Sequence, residues 1–318
     1  MKILANDGLS EKAIKTLEGA GFEVLTTKVA QNQLANFINE EHVEILLVRS
    51  ATQAKRDLID ACPALKLIGR GGVGMDNIDV TYAREKGIKV INTPNASSHS
   101  VAELTFAHLF SGVRFLYDAN RNMPLEGDTR FNELKKDYAK GYELKGKTLG
   151  IIGLGRIGKA VATIALGLGM KVIAYDPEQQ EATITLSFFD GRSLDFVIKT
   201  ISKEEVLKQA DFITLHIPAQ KEAVIGEKEF QQMKDGVGII NVARGGVIDE
   251  EALLHALEHE KVAFAGLDVF EGEPTPSIRI LMHPQVSLSP HIGAATLEAQ
   301  ERVGDELAEQ IIEVMSEK

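Results

Sequence analysis

Gly153-Leu154-Gly155-Arg156-Ile157-Gly158 is a glycine run whose spacing suits phosphate binding. Alone, such a run is a weak signal. Here the apolar stretch 148–152 precedes it, and a helical pattern from Ile157 to Leu168 follows it. A second apolar stretch, 171–175, then ends at Asp176. Strand, glycine turn, helix and an acidic residue closing the next strand form the context that a dinucleotide requires. The first glycine permits the tight turn, the second lets the backbone approach a pyrophosphate, and the third lets helix and strand pack closely. Arg156 and Ile157 open a helix whose free N–H groups and positive dipole end favour the phosphates. Asp176 is placed to accept hydrogen bonds from both ribose hydroxyls and to repel a 2′-phosphate, which predicts NAD rather than NADP.

Oxidation of a hydroxy acid by such a cofactor needs three further parts. They are a base for the hydroxyl proton, a partner that tunes the base, and a cation for the carboxylate. Candidates follow apolar runs, at the strand ends where open α/β sheets bind ligands. Arg244 follows Ile239-Ile240-Asn241-Val242-Ala243, and Asp268 and Glu273 follow the run 262–267. His291 stands in Ser289-Pro290-His291-Ile292-Gly293-Ala294. Nearer the N-terminus Arg49 and Arg70 also follow apolar runs; two guanidiniums suit a phosphate dianion.

The elements that must position these residues are short. Apolar runs at 2–6, 22–26, 45–48, 67–69 and 89–91 alternate with amphipathic stretches. A second series follows at 148–152, 171–175, 211–215, 237–242, 262–267 and 286–288. Such alternation predicts parallel sheets covered on both faces, here in two α/β domains. The polar stretch 92–100, with Pro94, marks a boundary. One long helix is predicted over 100–122 and another over 297–315, with Val303, Leu307, Ile311 and Val314 on its apolar stripe. Glu309, Glu313 and Glu317 fall on a solvated stripe of that last helix. Residues 183–199 break the rhythm. Ile184, Leu186 and Phe188 alternate, as do Leu194, Phe196 and Ile198, around Asp190-Gly191. This predicts a β-hairpin, either a decorated surface loop or a contact shielding the adenosine end of a cofactor or a partner subunit.

With 318 residues the chain has room for roughly two domains. An apolar fraction of 44% and a charged fraction of 25% exclude disorder, collagen and coiled coil as the main organisation. The net charge of −11 makes nucleic acid and anionic membrane poor partners. No uncharged apolar run approaches the ~20 residues of a membrane span, and Asp7 and Glu11 come too early for a signal peptide. Cys62 is the sole cysteine, which fits a reducing cytosol, and a cytoplasmic location is expected. Cys62 itself is expected to be buried and inert. His255 and His259 share a helix face with no third ligand nearby, so no metal is predicted.

Five motifs in order carry a resemblance. They are Gly69 to Asp79 (GRGGVGMDNID), Asn92-Thr93-Pro94-Asn95, the glycine run, Asn241 to Asp249, and Glu271 through Pro290-His291. On these the sequence resembles the D-isomer-specific 2-hydroxyacid dehydrogenases over almost its whole length. The resemblance implies His291 as acid/base, Glu273 as its partner, and Arg244 holding the substrate carboxylate and polarising the carbonyl. A carboxylate beside imidazole favours the charged ring and fixes its orientation. Glu273, in place of a neutral amide, argues against the family's formate dehydrogenase branch. The resemblance also places His216, Ile217 and Pro218 near the adenosine, and Val242 and Ala243 at the nicotinamide ribose. Asp268 would meet the nicotinamide amide, with Gly293 and Ala294 nearby. Gly72, Val73 and Gly74 would offer N–H groups to the substrate carboxylate, Val73 also bordering the cofactor.

The implied architecture is two Rossmann-like parallel-sheet domains. A NAD-binding domain, 99–288, is inserted into a flavodoxin-like substrate domain, 1–98 plus 289–318. A cleft between them would close on turnover, and a homodimer would form through residues 100–145. VRSAT (48–52), GRGGVGMDNID and GKTLGIIGLGRIG (146–158) sit nearest the branch that oxidises D-3-phosphoglycerate, in a short form with no regulatory domain. That branch draws a basic residue from the neighbouring subunit, for which Arg130, Lys135, Lys136 and Lys140 are available. The alternatives are a glyoxylate/hydroxypyruvate reductase or another dehydrogenase of D-2-hydroxy acids. More remote is a NAD-sensing, corepressor-like binding protein on the same fold.

Overall fold

A computed structural model describes residues 1–316. The chain divides into two compact units, Met1–Ser100 with Ala294–Lys318, and Val101–Gly293. Five strands form the sheet of the first unit: β1 (Lys2–Ala5), β2 (Glu23–Leu25), β3 (Ile45–Val48), β4 (Leu67–Arg70) and β5 (Lys89–Asn92). They are all parallel, in the order β2-β1-β3-β4-β5, which is the flavodoxin-like order. All four side chains of β3 are buried, as a sheet covered on both faces demands. The C-terminal helix Leu297–Ser316 returns to this unit. Its Val303, Leu307 and Ile311 enter one core cluster with Ile3, Ala5 and Leu17. Glu309 and Glu313 are exposed; Glu317 lies outside the described residues.

The second unit is built on β6 (Thr148–Ile152), β7 (Lys171–Tyr175), β10 (Phe212–Leu215), β11 (Val237–Asn241), β12 (Val262–Leu267) and β13 (Val286–Leu288). These are parallel in the order β13-β12-β11-β10-β6-β7. A single parallel bridge, Ala174 to Thr200, extends the sheet beyond β7. The segment leading to that bridge is the hairpin of β8 (Glu181–Ser187) and β9 (Ser193–Lys199), with Ile184 opposite Phe196 and Leu186 opposite Leu194. Gly191 takes φ +84° at its tip. The inner face, Ala182, Ile184 and Ile198, joins the core cluster of Val161 and Ala165 on helix Arg156–Gly167. The hairpin is therefore part of the core near its base, while Val197 on the opposite face, and Leu194 and Phe189 toward the tip, remain exposed.

Two expectations need correction. The single helix over 100–122 is two helices, Ser98–Val113 and Leu116–Glu126. The first ends in a tightened turn, Phe115 N–H donating to Gly112 O at 3.2 Å. Phe115 itself takes the left-handed φ of +55° and sets its ring 6.2 Å from that of Tyr138. Gly112, one residue before the end of the first helix, is the local mark of this break. The return crossing falls at Gly293/Ala294 rather than 288/289, because hydrogen bonds tie residues 289–293 to the end of β12. Ser289 N–H donates to Leu267 O at 3.0 Å and His291 N–H to Asp268 O at 2.8 Å. His291 thus belongs to the second unit. No helix among the described residues is long and apolar enough to cross a membrane.

Candidate active site

At the end of β6 the chain turns through Gly153 at φ +97°, where a Cβ would lie 2.4 Å from the backbone oxygen of His216. Only glycine fits there, and the same contact brings His216 and Ile217 to the loop. Gly155 caps helix Arg156–Gly167 with no side-chain hydrogen bond, and a Cβ on it would meet nothing within 4 Å. The first N–H groups of this helix lack a protein side-chain cap and face open space, so the loop fits a pyrophosphate. Asp176 stands beside it. Its Oδ2 accepts Leu154 N–H at 2.7 Å, and its Oδ1 accepts Glu178 N–H at 2.9 Å and Gln179 N–H at 3.1 Å. The predicted ribose ligand is thus also a clamp on the turn. His216 is half-buried, with Nε2 3.0 Å from Thr214 Oγ1 and an enclosed Nδ1 that has no hydrogen-bond partner. Burial pushes its pKa down to about 3, which keeps the ring neutral.

The second group occupies the ends of three neighbouring strands, β11, β12 and β13. After β11 the buried Asn241 folds the chain back, its Oδ1 accepting Ala243 N–H at 3.0 Å and its Nδ2 donating to Arg244 O at 2.8 Å. Val242 and Ala243 are buried in that turn, and Arg244 Nη1 donates to Ala243 O at 2.6 Å. A Cβ on the next residue, Gly245, would lie 1.9 Å from Phe270 O. Glycine alone lets the Arg244 loop touch the loop that follows β12.

That second loop carries Glu273. Its Oε1 accepts Phe270 N–H at 2.9 Å, and its Oε2 lies 2.8 Å from His291 Nδ1. His291 has φ +54°, a left-handed conformation uncommon for a non-glycine residue and held only where the surroundings fix it. The fixing group is Asp268, 1% exposed. Its Oδ1 accepts Ser289 Oγ–H at 2.6 Å and Ile292 N–H at 2.8 Å, and its Oδ2 accepts Gly293 N–H at 2.8 Å. The structure therefore shows Asp268 clamping the histidine turn, the alternative that aspartate's turn-forming habit offers beside the cofactor amide implied by the resemblance. Behind it His108 is buried between Ser287 Oγ at 2.9 Å and Ser289 Oγ at 2.8 Å, its pKa lowered by burial. Sequence reasoning gave His108 no role; only its position in an apolar helical face hinted that it was buried. Beside the His291–Glu273 pair lies a cavity of about 370 Å³ lined by Phe270, Pro274, Leu281 and Leu288.

The candidates for the substrate's acidic groups lie in the first unit, Arg49 and Arg70 at the ends of the adjacent strands β3 and β4. Arg49 N–H donates to Asp7 Oδ2 at 2.6 Å, and Arg49 O accepts Asn77 Nδ2 at 2.7 Å. Arg70 Nη1 donates to Gly71 O at 3.3 Å. In the turn Gly72-Val73-Gly74, Val73 O accepts Asn92 Nδ2 at 2.7 Å. Ala294 opens the return segment of this unit. Arg130 is paired within its own segment, to Glu133 at 2.6 Å and to Glu126, whereas Lys135, Lys136 and Lys140 are exposed. Cys62 is buried, which raises its thiol pKa to about 11. His255 and His259 stack with ring centroids 4.1 Å apart. Among the described residues no three side chains are grouped to hold a metal ion.

Comparison with known proteins identifies the family. Residues 106–293 match the D-isomer specific 2-hydroxyacid dehydrogenase, NAD binding domain. The hydroxypyruvate reductase of Thermotoga maritima is 44% identical, covering 98% of this chain and 97% of its own. The D-3-phosphoglycerate dehydrogenase of Methanocaldococcus jannaschii is 42% identical over 99% of this chain, and the chain spans 57% of that relative. Among solved structures, NAD+-bound 3-phosphoglycerate dehydrogenase from Entamoeba histolytica aligns with a TM-score of 0.78 at 29% identity, covering 100% of this chain and 96% of that one.

Proposed function

We propose, for a chain that belongs to the D-isomer specific 2-hydroxyacid dehydrogenases and whose cofactor is NAD, that it oxidises D-3-phosphoglycerate to 3-phosphohydroxypyruvate. The observation that carries the chemistry is the His291–Glu273 contact of 2.8 Å. With Nδ1–H directed at the carboxylate, Nε2 is left as the base. The substrate hydroxyl gives its proton to Nε2 as the C2–H bond breaks. Glu273 stabilises the imidazolium that results. Bound NAD supplies the acceptor for the hydride leaving C2. Arg244 holds the carboxylate and draws electron density from the forming carbonyl. Asp176, His216, Ile217 and Pro218 form the dinucleotide's bed with the glycine loop. Arg49 and Arg70, on neighbouring strand ends of the first unit, support a phosphorylated substrate. Leu116, Met123, Leu125 and Phe131 are exposed apolar side chains in the segment we assign to a homodimer contact.

A second reading, reduction of hydroxypyruvate or glyoxylate, is favoured by the Thermotoga maritima relative, which matches over nearly its whole length. NAD reduction measured with 3-phosphoglycerate, D-glycerate and D-lactate separates the two. The first reading expects the phosphorylated acid to be preferred, with that preference lost in Arg49→Ala. Equal kcat/KM for phosphorylated and unphosphorylated acids would overturn it. Wild-type turnover in His291→Ala would remove both.

A further inference from the structure

The loop that presents Glu273 is held by a second carboxylate to which nothing above assigns a part. Glu250 is the first residue of helix Glu250–Glu258, whose cap is Asp249. Its side chain is turned inward, leaving the residue 8% exposed. There its Oε1 accepts the N–H of Glu271 at 2.7 Å. Glu271 sits between Phe270, whose N–H is taken by Glu273 Oε1, and Glu273 itself. The turn is therefore gripped twice by acidic side chains, once from within and once from the neighbouring helix.

Burying a carboxylate to accept one backbone N–H is an expensive way to hold a loop. The charges that reach Glu250 make it more so. Glu251 lies on its own helix, and Glu271 and Glu273 on the loop after β12. All three are negative, and the nearby Arg279 is engaged by Glu251 and Glu258. Burial and these neighbours raise the pKa of Glu250 above the ordinary carboxylate value. A buried side chain kept against that cost points to the turn it holds.

We infer that Glu250 is a positioning residue for the His291–Glu273 pair: it fixes the turn that presents Glu273 by accepting the Glu271 amide. This rests on the reading of His291 and Glu273 as the acid/base pair. Two variants isolate that grip. Glu250→Gln keeps an oxygen for the Glu271 N–H, and Glu250→Ala removes it. Glu250 is not placed against the dinucleotide, so NAD affinity by calorimetric titration should stay within about twofold in both.

The experiment compares kcat, KM and NAD affinity in wild type, both variants and His291→Ala. The substrate is 3-phosphoglycerate or hydroxypyruvate, whichever turns over. In Glu250→Gln we expect kcat within about threefold of wild type, since an oxygen for the Glu271 N–H is kept. In Glu250→Ala we expect kcat about tenfold lower with NAD affinity unchanged, the cost of a misplaced partner. Wild-type kcat in Glu250→Ala, or an equal loss in both variants, with His291→Ala inactive, defeats this inference and leaves the pair intact. Full turnover in His291→Ala defeats the pair itself. Should Glu250→Ala not fold, Glu250→Asp, whose shorter side chain draws back from the Glu271 amide, takes its place, and a kcat as high as in Glu250→Gln defeats the inference.

Discussion

In the first sheet the strand order reverses between β1 and β3, and in the second between β6 and β10. Each reversal opens a crevice at the carboxyl ends of its strands. The two are finished differently. After β1 the chain enters helix Glu11–Gly19, whose cap Ser10 uses its own hydroxyl to accept Ala13 N–H. Beside it Asp7 accepts the N–H groups of Arg49 and Thr52 and the hydroxyl of Thr52. After β6 the cap is Gly155, and no side chain takes the first N–H groups. Topology thus provides two candidate anion sites, and one residue at each cap decides which of them stays open. The closed one ties down the strand end that carries Arg49; the open one is left free for the diphosphate we propose there.

The sharpest way to break this contrast is at Gly153. Alanine there must adopt φ +97° and place its Cβ 2.4 Å from His216 O. Calorimetric titration should show NAD binding weakened more than about 100-fold; affinity near wild type would refute the cradle.

Acid should also separate the two regions, because the enclosed neutral histidines His108 and His216 are both in the second unit. Their folded-state pKa values are depressed, so the unfolded chain binds the extra protons. Stability is then full above about pH 6.5 and falls as pH drops below it. With His216 at about 3 when folded, the loss between pH 6.5 and 5 is about 2 kcal/mol from this group alone. Denaturant titrations at the two pH values check the slope, which His216→Gln should flatten.

Closing the open cap should be milder. Gly155→Ser imports the hydroxyl that Ser10 provides in the first unit, and we expect NAD affinity to fall about tenfold with no loss of thermal stability. The reciprocal change, Ser10→Ala, should cost about 1 kcal/mol of stability and leave NAD affinity unaltered. If it weakened NAD binding, the assignment of the two caps to separate tasks would be wrong.

How much of this is visible in the linear chain depends on how local each feature is. The strands, the glycine loop and the hairpin are contiguous patterns, so apolar runs and Asp190-Gly191 suffice to place them. Arg244, Glu273 and His291 are legible as strand-end residues and through the family resemblance. What joins them is not. The Asp268 carboxylate serves Ser289, Ile292 and Gly293, partners more than 20 residues away. Glu250 meets Glu271 across a similar gap; its only signal is a position just after Asp249, inside a motif read for Arg244. The break at Phe115 fails for another reason. Its backbone is left-handed with its ring beside that of Tyr138, a partner 23 residues on, and no propensity of phenylalanine foretells it.

Asp176 brings a constraint on how the molecule can change. Three main-chain amides end on its two oxygens, so any residue that swaps the acid for a neutral or basic group, to welcome a phosphorylated ribose, also strips those amides of their acceptors. A lineage altering its redox currency would have to rebuild the bend around Leu154 and Gln179 in the same step. The preference for one dinucleotide that we propose for Asp176 would thereby be held by carpentry as well as by charge.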